Sequence, residues 1–514
     1  MKNKITVFFL ASIFLSFFLL LNWNSFSAPF ERDEGEYAYS AWLLRSGGTP
    51  YQDSFLQKPP LIVYTYLLGQ TIDPWAVWPP RVLAALFVFL TAMLVGLIAF
   101  KEWGIFVGIF SIFLFLPLIA FPPLTPFSAN TEKFMILPMT ALLTLFVYFK
   151  DSQKIWPYVL AGIFSVLAIL YKPICLPVIF FIIIFWMFKL YRLQTFPNYK
   201  VIIKPIVIIA VTSFLSTLIL LSPFFKVWSK FFQEVFTFNI SYVSAFNNSF
   251  YNLINYSGKF FRYWWVLIIL FGSLFIKIPK NFYFYIFLCF LCLLTIFSSP
   301  IGHYYLILMP FITLVLGSLF GSYIDNSSNK EKIWITIGTL TLILFIILLP
   351  FKKQFSMSPE ELSVWVYGTV NPFGESKEVA SHLAKITKID DTVFVAGSEP
   401  QIYYYAKRKS NNRFVITYPL NLETPYREEF QKELISSLEK KHPKAIVFSQ
   451  RIHSGLWNDG SPDIFIKYFD DLILKNYNVV GGYVWDNTGG HWQEPISTEE
   501  IKNSSLLLLL EKNG

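Results

Sequence analysis

The stretch that decides the fold runs from Phe30 to Leu61 and reads FERDEGEYAYSAWLLRSGGTPYQDSFLQKPPL. It is heavily charged and directly follows an apolar run that predicts a membrane span. Near its start, acidic residues surround Arg32, namely Glu31, Asp33, Glu34 and Glu36; near its end, Lys58 precedes two prolines. Carboxylates at a membrane face can accept protons or bind a metal, and a lysine can hold a phosphate. The stretch therefore suits chemistry on a lipid-borne substrate.

The same residues also allow a purely structural interpretation. Acids in the first turn of a helix favour the positive end of its dipole, so Asp33 and Glu34 could simply start a helix. Lys58 could extend toward lipid headgroups, and the two prolines could end one segment before the next apolar run. These few residues leave both interpretations open, and the rest of the chain has to decide between them.

Composition identifies the class of protein. The chain has 514 residues, of which 54% are hydrophobic and only 15% are charged, and no ordinary soluble protein of this size has such a balance. The 56 Phe, 15 Trp and 28 Tyr residues supply lipid-facing bulk and interfacial anchors. The net charge of +9 comes largely from short loops between apolar runs, so it indicates membrane topology rather than nucleic-acid binding. We therefore expect an integral membrane protein whose partner is the lipid bilayer and not a nucleic acid.

Apolar runs long enough to cross about 30 Å of hydrocarbon occur roughly eleven times. They lie near residues 5–22, 81–100, 104–122, 134–149, 155–171, 173–188, 201–222, 262–276, 282–298, 304–322 and 333–350. We interpret the first run as an uncleaved span, because no convincing small-residue cleavage site follows it at once. All three cysteines lie inside apolar segments, so the pattern of a disulfide framework or a zinc site is absent from the sequence.

Short basic loops separate alternate spans and predict the orientation of the chain. Short loops rich in lysine and arginine mark the cytoplasmic side of a membrane. By this rule the N-terminus, with Lys2 and Lys4, is cytoplasmic in an inner (plasma) membrane. The first outer loop, residues 22–80, then lies outside. An odd number of spans also places a C-terminal domain, residues 351–514, on the extracytoplasmic side.

The C-terminal domain is predicted to be a small α/β domain with a largely parallel sheet. Helical patterns at 376–388, 399–408, 425–440 and 462–475 alternate with the strand-like runs DTVFVAG, RFVITYP, KAIVFS and NVVGGYVW. The segment Ala396-Gly-Ser-Glu-Pro400 follows a strand, where α/β folds bind ligands, although Pro400 in the first turn of a helix explains it as well. The final SSLLLLLEKNG is too short to span a membrane, and we interpret it as a loose tail.

Three further ionisable residues lie on the predicted outer face, and such residues at membrane depth often mark function. They are Glu132 in SANTEKF, Lys172 in LYKP and His303 in GHYY. Each has a structural alternative. Asn130 or Thr131 could cap a helix that has Glu132 in its first turn, Lys172 could extend to the headgroups, and His303 could form an ordinary hydrogen bond.

These motifs resemble those of a known family. Residues 32–61, SANTEKF, LYKP and GHYYLILMPF are similar to stretches of the GT-C glycosyltransferases, specifically bacterial members related to protein O-mannosyltransferases and lipid A aminoarabinose transferases. The resemblance covers about the first 350 residues, so residues 1–350 are predicted to form a GT-C transmembrane domain of about eleven spans with the catalytic loop at 22–80. It implies a polyprenyl-phosphate sugar donor, transfer with inversion, and an acceptor that is a protein, a lipid or a glycan.

The resemblance also implies roles for individual residues. Asp33 would be the acid that activates the acceptor and Glu132 the second acid. The donor phosphate would be bound by Lys58 and Lys172. Beside these, we expect His303 to be a further phosphate ligand and take Arg32, Glu34 and Gln57 as other site candidates. Gln57 replaces an acid that some relatives carry before the Lys-Pro pair, which makes a metal site at this position doubtful. No cofactor is certain from the sequence, and a divalent cation remains an open requirement.

Two rival functions share the general features of the sequence. A lipid-linked glycan ligase or polymerase would use a lipid-diphosphate donor in place of a lipid phosphate. A lipid or glycan transporter would also have many spans, but it would more often carry charges in mid-membrane on interrupted helices, whereas the charges here cluster at one face.

Overall fold

A computed structural model describes residues 18–19, 23–121, 124, 127–192, 199–244, 249–275, 277–297, 302–456, 461–486 and 489–512. The described chain forms two compact units. The first, which we call the helical unit, contains the described residues of Met1–Phe26, Arg81–Ser222 and Asn248–Met357. The second, the mixed unit, contains those of Ser27–Pro80, Pro223–Asn247 and Ser358–Gly514. Most of the predicted outer loop 22–80 thus belongs to the same unit as the C-terminal segment.

Helices account for most of the described chain. In chain order they are α1 (Arg32–Arg45), α2 (Leu61–Ile72), α3 (Trp78–Trp103), α4 (Ile105–Ile119), α5 (Thr131–Phe149), α6 (Trp156–Tyr171), α7 (Leu176–Arg192), α8 (Lys200–Leu221), α9 (Trp228–Phe232), α10 (Phe238–Ser244), α11 (Ser249–Trp264), α12 (Phe282–Ile296), α13 (Met309–Ile324), α14 (Asn329–Leu348), α15 (Pro359–Tyr367), α16 (Glu375–Ile386), α17 (Gln401–Ala406), α18 (Arg427–Lys440), α19 (Ile464–Asn476) and α20 (Thr498–Asn503). A π-helical turn, Gln233–Thr237, joins α9 to α10.

Several helical segments have the length and composition of membrane spans. Five in the described chain are long and apolar enough, namely Trp78–Trp103, Thr131–Phe149, Pro173–Arg192, Val201–Val243 and Gly302–Ile324. Shorter apolar helices accompany them, among them α4, α6 and α12. Inside a bilayer no water can satisfy backbone amides, so apolar runs form helices, which pair these groups internally. The chain is an integral membrane protein.

Close helix contacts hold the helical unit together. At Gly162 of α6, a Cβ atom would lie 1.9 Å from Thr212 Oγ1 and 2.8 Å from the Ile209 carbonyl of α8, so only glycine permits this approach. Phe110 of α4 stacks on Phe320 of α13 with ring centroids 4.1 Å apart. In lipid, where the solvent is as apolar as the side chains, such packing is a main source of helix association.

The predicted spans correspond only partly to long helices. The runs near 81–100, 134–149 and 173–188 coincide with α3, α5 and α7. The run near 262–276 is largely a 3-10 segment, and the first run, 5–22, lies almost entirely outside the described residues. The count of about eleven spans and the orientation of the chain therefore stay predictions.

The mixed unit contains a six-stranded sheet. Its strands are β1 (Thr392–Ala396), β2 (Lys409–Ser410), β3 (Ala445–Ser449), β4 (Tyr477–Asp486), β5 (Gly489–Gln493) and β6 (Ser504–Glu511), in the order β2-β1-β3-β6-β4-β5. Strand β1 is parallel to β2 and β3, but β6 pairs antiparallel with β3 and β4, and β4 with β5. The prediction of a largely parallel sheet is wrong, because after β3 the chain forms a hairpin and then inserts β6 in place of further β-α-β crossovers.

A second prediction is also wrong: SSLLLLLEKNG does not form a loose tail, because Ser504–Glu511 is strand β6. Leu508 pairs with Val447 of β3 on one side and with Gly481 of β4 on the other, and it is 1% exposed. A strand in the middle of a sheet that is covered on both faces has a continuous apolar run and no alternation. The leucine run is too short for a membrane span, but it has the usual length of a strand.

The run RFVITYP, Arg413–Pro419, is not a strand, which is a third correction. Side chains accept hydrogen bonds from backbone N–H groups that would otherwise pair with a neighbouring strand. The Phe414 N–H donates to Asn412 Oδ1 at 2.8 Å, and the Thr417 N–H donates to Ser398 Oγ at 2.9 Å. Such local bonds compete with strand pairing, so the run forms an irregular buried segment.

Candidate functional site

The first turn of α1 is fixed by a capping box made of two glutamates. The Glu31 carboxylate accepts the N–H groups of Asp33 and Glu34, and the Glu31 N–H donates back to Glu34 at 3.3 Å. Burial, with the nearby charges of Asp33 and Glu34, raises the pKa of Glu31 well above its usual range. Glu31 and Glu34 thus form the cap, and the Asp33 side chain takes no part in it. Asp33 and Glu34 both lie in the first turn of α1, so the helix-start interpretation applies to both by position, but only Glu34 contributes its side chain to the cap.

Arg32 anchors this turn to the loop after β1. Its Nε donates to the Ser398 carbonyl at 2.5 Å, and its guanidinium pairs with the Glu399 carboxylate at 2.9 Å. Glu399 is fully buried and also accepts hydrogen bonds from Gln401 and Ser454. The segment Ala396–Pro400, considered above as a ligand loop or a helix start, thus holds the beginning of α1 in place.

One side of α1 faces the loop that leads to the Lys-Pro pair. Asp33, Glu36 and Ser40 share this side, because residues at i, i+3 and i+7 recur on one face of a helix. Ser40 Oγ lies 3.1 Å from Ser54 Oγ, and the Gln57 backbone N–H bonds to the Glu36 carboxylate. The loop therefore packs along the face of α1 that carries Asp33.

Glu36 is a buried carboxyl group in the neighbourhood of both the predicted base and the predicted phosphate ligand. It is 2% exposed, and burial together with the charge of Asp33 raises its pKa to about 8, while Lys58 acts in the opposite direction. Both residues are thus near enough to Glu36 to affect its ionisation. Glu36 is a further candidate site residue, which the motif resemblance did not select. Its spacing of three residues from Asp33 on a predicted helix was the signal that could have revealed it.

The backbone of the loop before Lys58 is held by residues distant in sequence. The Phe55 N–H donates to the Arg413 carbonyl at 2.7 Å, and the Leu56 N–H donates to Glu234 Oε2 at 2.7 Å. Glu234 and Arg413 form a buried ion pair of 2.5 Å, and Arg413 also pairs with Glu433 at 2.7 Å. The sequence offers no signal for this arrangement, because Glu234 and Arg413 are 179 positions apart.

The next two residues of the loop are held in the same way. Asn239 Nδ2 donates to the Gln57 carbonyl at 2.8 Å, and the Tyr51 hydroxyl donates to the Lys58 carbonyl at 2.9 Å. Tyr51 itself packs edge-on against Phe231 with ring centroids 5.1 Å apart. Phe55, Leu56, Gln57 and Lys58 thus each have at least one backbone group bonded by a partner outside this tetrapeptide. Such fixed backbone geometry is what a preorganised binding residue requires.

The helical unit contains a second group of selected residues. Lys172 forms a buried ion pair with Glu132, and His303 Nε2 lies 3.9 Å from Glu132 Oε1. The Lys172 ammonium also lies 3.3 Å from the centre of the Tyr304 ring. Helix α5 begins at Thr131, and Asn130 occupies the cap position without a capping side-chain bond. The structure thus brings together Glu132, Lys172 and His303, which come from three distant segments.

The residues selected from the sequence therefore form two sets. The mixed unit contains Arg32, Asp33, Glu34, Gln57 and Lys58, and the helical unit contains Glu132, Lys172 and His303. Among the residues that the structure describes, no three His, Cys, Asp or Glu side chains are grouped so that they could hold a metal ion.

Comparison with known proteins identifies the fold. No protein-family model and no curated protein matches the chain. ArnT from Cupriavidus metallidurans in its apo state matches with a TM-score of 0.54 and 14% identity over 99% of this chain and 98% of ArnT. ArnT bound to undecaprenyl phosphate matches with a TM-score of 0.54 and 13% identity over 98% of this chain and 97% of ArnT. The oligosaccharyltransferase AglB from Archaeoglobus fulgidus, in complex with an inhibitory peptide and a dolichol-phosphate, matches with a TM-score of 0.49 and 11% identity over 99% of this chain and 77% of AglB.

The match to ArnT extends beyond the part of the chain with recognisable motifs. It covers 99% of the chain, so it includes the C-terminal sheet as well as the apolar helices. At 14% identity the shared property is the fold and not the substrate. The chain has the fold of the GT-C glycosyltransferases, the superfamily that its motifs resemble.

Proposed function

We propose that the chain is a membrane glycosyltransferase that moves a sugar from a polyprenyl-phosphate donor to an acceptor hydroxyl with inversion. The observation that carries this proposal is that the loop leading to Lys58 packs along the face of α1 that carries Asp33, with Ser40 Oγ 3.1 Å from Ser54 Oγ. A carboxylate base and a cation on adjoining, firmly held segments are the two groups that such a transfer requires. The shared fold with ArnT, which has been solved bound to undecaprenyl phosphate, supports the choice of donor.

Asp33 acts as the base in this proposal. It takes the proton of the acceptor hydroxyl, whose oxygen attacks the anomeric carbon from the face opposite the phosphate. The new glycosidic C–O bond forms as the C–O bond to the phosphate breaks, so the anomeric configuration inverts. The capping box keeps α1 helical from its first turn, which fixes the backbone that carries the Asp33 side chain.

Lys58 binds the donor phosphate and stabilises its charge as it leaves. The polyprenyl phosphate departs with the electron pair of the broken bond, and a fixed ammonium lowers the free energy of that charge most in a water-poor site. The bonded backbone of Phe55–Lys58 fixes the point from which the lysine side chain extends before the donor arrives. This preorganisation reduces the entropy lost when the donor binds.

The group in the helical unit has a supporting role in the proposal. Lys172 and His303 are proposed to bind the donor phosphate, and Glu132 is proposed as the second acid. The buried ion pair with Glu132 fixes the position of the Lys172 ammonium. The acceptor, a protein, lipid or glycan, is proposed to be modified on the extracytoplasmic face of the plasma membrane.

The replacement Asp33→Asn tests the proposal. Asparagine keeps the shape and the hydrogen bonds of aspartate but cannot take a proton at neutral pH. Sugar transfer from a polyprenyl-phosphate donor, measured per folded molecule, should fall by about 10²–10⁴-fold while donor binding persists. Asp53→Asn is the matched control, because Asp53 lies in the same unit and its carboxylate only caps an exposed turn at Thr49.

The outcomes separate the proposal from its rivals. Full activity of the Asp33→Asn protein would end the assignment of Asp33 as base. Sugar release from lipid diphosphates but not from lipid phosphates would favour a ligase or polymerase. Movement of a lipid-linked glycan across a vesicle membrane without any bond cleavage would favour a transporter.

A further inference from the structure

Two buried polar atoms lie together beside the proposed base and phosphate ligand. Glu36 and Gln57 are 2% and 3% exposed. Glu36 Oε1 and Gln57 Nε2 have no hydrogen-bond partner within the part of the chain that the structure describes. The two residues are neighbours, because the Gln57 backbone N–H bonds to the Glu36 carboxylate. One acceptor and one donor thus remain unused at the same place.

Unused polar atoms of this kind indicate a ligand. Nearly all buried polar atoms in folded proteins are hydrogen-bonded, since a buried polar atom without a partner destabilises the fold. The backbone N–H and C=O of Gln57 are both bonded, whereas its side-chain Nε2 has no partner among the residues that the structure describes. The surrounding structure fixes the residue and leaves its side chain available to a bound molecule.

The chemistry of the pair selects the kind of ligand. With a pKa of about 8, Glu36 is mostly protonated at neutral pH, so it offers one O–H donor and one acceptor oxygen. Gln57 adds N–H donors and no charge. Neutral groups of this type do not suit a phosphate, which prefers cations, or a metal ion, which prefers ionised carboxylates. They do suit hydroxyl groups, which donate and accept at the same atom.

We propose that Glu36 and Gln57 form a subsite that binds hydroxyl groups of the sugar carried by the donor. This inference rests on the proposed function, because it places the sugar next to the phosphate bound by Lys58. It also gives Gln57 a role in this chain: at the position where some relatives carry an acid, an amide provides a neutral donor. Substrate choice would then depend on the sugar hydroxyls that reach the pair.

The test compares binding of a sugar-free lipid with binding of its sugar-linked forms. The probes are undecaprenyl phosphate and undecaprenyl phosphate linked to glucose, mannose or 4-amino-arabinose, measured on the full chain in detergent or nanodiscs. For the wild-type protein we expect at least one neutral-sugar form to bind more tightly than the bare phosphate. Glu36→Leu removes the hydrogen-bonding groups and should weaken binding of that sugar-linked form by about tenfold. Binding of bare undecaprenyl phosphate should stay unchanged.

Further variants make the test specific. Glu36→Gln is neutral and retains a donor and an acceptor, so it should keep the tighter binding at pH 7. Gln57→Met should lose the tighter binding of the sugar-linked form, as Glu36→Leu does. The Gln57→Met variant provides the test if the Glu36→Leu protein does not fold. Gln52→Met is the matched control, since Gln52 lies exposed in the same loop. Lys58→Ala should weaken binding of bare undecaprenyl phosphate and of its sugar-linked forms to the same extent.

The pH dependence of donor affinity provides a second measurement. If Glu36 had only a structural role, the wild-type and Glu36→Gln proteins would show the same pH dependence. Glu36 faces Asp33 on its own helix, Lys58 and Tyr51 in the loop, and Glu234 in the π-helical turn. Above about pH 8 the Glu36 carboxyl ionises and places a negative charge close to the donor phosphate. Wild-type donor affinity should therefore fall above this pH, and the Glu36→Gln protein should lack that part of the fall.

Several results would overturn the subsite. One is equal weakening of bare and sugar-linked lipid by Glu36→Leu, which would indicate a role in the fold or in phosphate binding. Another is a wild-type protein that binds every sugar form no better than bare undecaprenyl phosphate, which would still leave the phosphate site and the proposed function intact. A gain seen only with 4-amino-arabinose and lost in Glu36→Gln would assign the carboxylate to an amine and not to hydroxyls.

Discussion

The replacement Glu234→Ala tests whether the ion pair behind the Phe55–Lys58 loop positions the proposed phosphate ligand. In the wild-type protein, Glu234 Oε2 accepts the Leu56 N–H at 2.7 Å and Oε1 accepts from Arg413 at 2.5 Å. The replacement removes both bonds and leaves a buried N–H and a buried guanidinium with fewer partners. Removing one member of a buried pair typically costs about 3–5 kcal/mol, largely because the other charge stays buried.

The structure points to the lower end of that range. Arg413 keeps its bidentate contact with the Glu433 carboxylate, with hydrogen bonds of 2.7 and 2.8 Å. Its Cζ also lies 4.6 Å from the centre of the Phe414 ring, so its charge is still compensated. A loss of about 3 kcal/mol would lower the melting temperature of a unit of this size by about 6–12 °C, at about 2–4 °C per kcal/mol. Glu234→Gln keeps an acceptor for Leu56 and should lower the melting temperature less.

Thermal unfolding and donor binding together provide the assay. Unfolding is followed by the near-ultraviolet circular dichroism of the purified protein, and binding of undecaprenyl phosphate is measured well below the transition. Because the Leu56 N–H loses its partner, Lys58 should be less well ordered and affinity for undecaprenyl phosphate should fall. Glu428→Ala is the control, since Glu428 forms only an exposed pair with Lys432. A Glu234→Ala protein that melts with the wild type and binds the lipid equally well would refute the reasoning.

Two further predictions concern the donor phosphate and the sheet. Lys58→Ala and Lys172→Ala should each weaken binding of undecaprenyl phosphate by about tenfold to a hundredfold, because a hydrogen bond to a charged group contributes about 1.5–3 kcal/mol; unchanged affinity in both proteins would remove the lysines from the site. Leu508→Asp places a carboxylate in the middle strand of the sheet, at a position that is 1% exposed, and should abolish the folded mixed unit, as measured by limited proteolysis. A Leu508→Asp protein with the wild-type cleavage pattern would contradict the buried position of β6.

The sequence predicted the features that depend on composition and on local motifs. Long apolar runs such as 81–100 became helices because a bilayer leaves the backbone few alternatives. Asp33 and Lys58 could be selected because both lie in one short stretch with a recognisable pattern. Glu36 lies in that same stretch but was not selected, because what singles it out is its burial next to Gln57, and the sequence does not show which charged residues are buried.

The errors have a common physical origin in long-range pairing. Whether a short apolar run is a tail, a strand or part of a span depends on its neighbours in space, so the five leucines at 506–510 gave no decisive signal. The same holds for the segment at Arg413, whose β-branched and aromatic residues favour a strand. There, Asn412 and Ser398 provide competing hydrogen bonds, and only the folded unit shows that they are within reach.

The central position of β6 has a consequence for biogenesis. The strand is inserted between β3 and β4, yet it is translated long after α1, which belongs to the same unit. At about 5–20 residues per second, the ribosome reaches β6 roughly 25 to 95 seconds after it has made α1. Throughout that interval, the sheet that contains β1, the strand before Glu399, is incomplete. Glu399 is the residue with which Arg32 of α1 pairs. The mixed unit can therefore complete its sheet only after β6 has been translated, so its stability is acquired late in synthesis although α1 is made early.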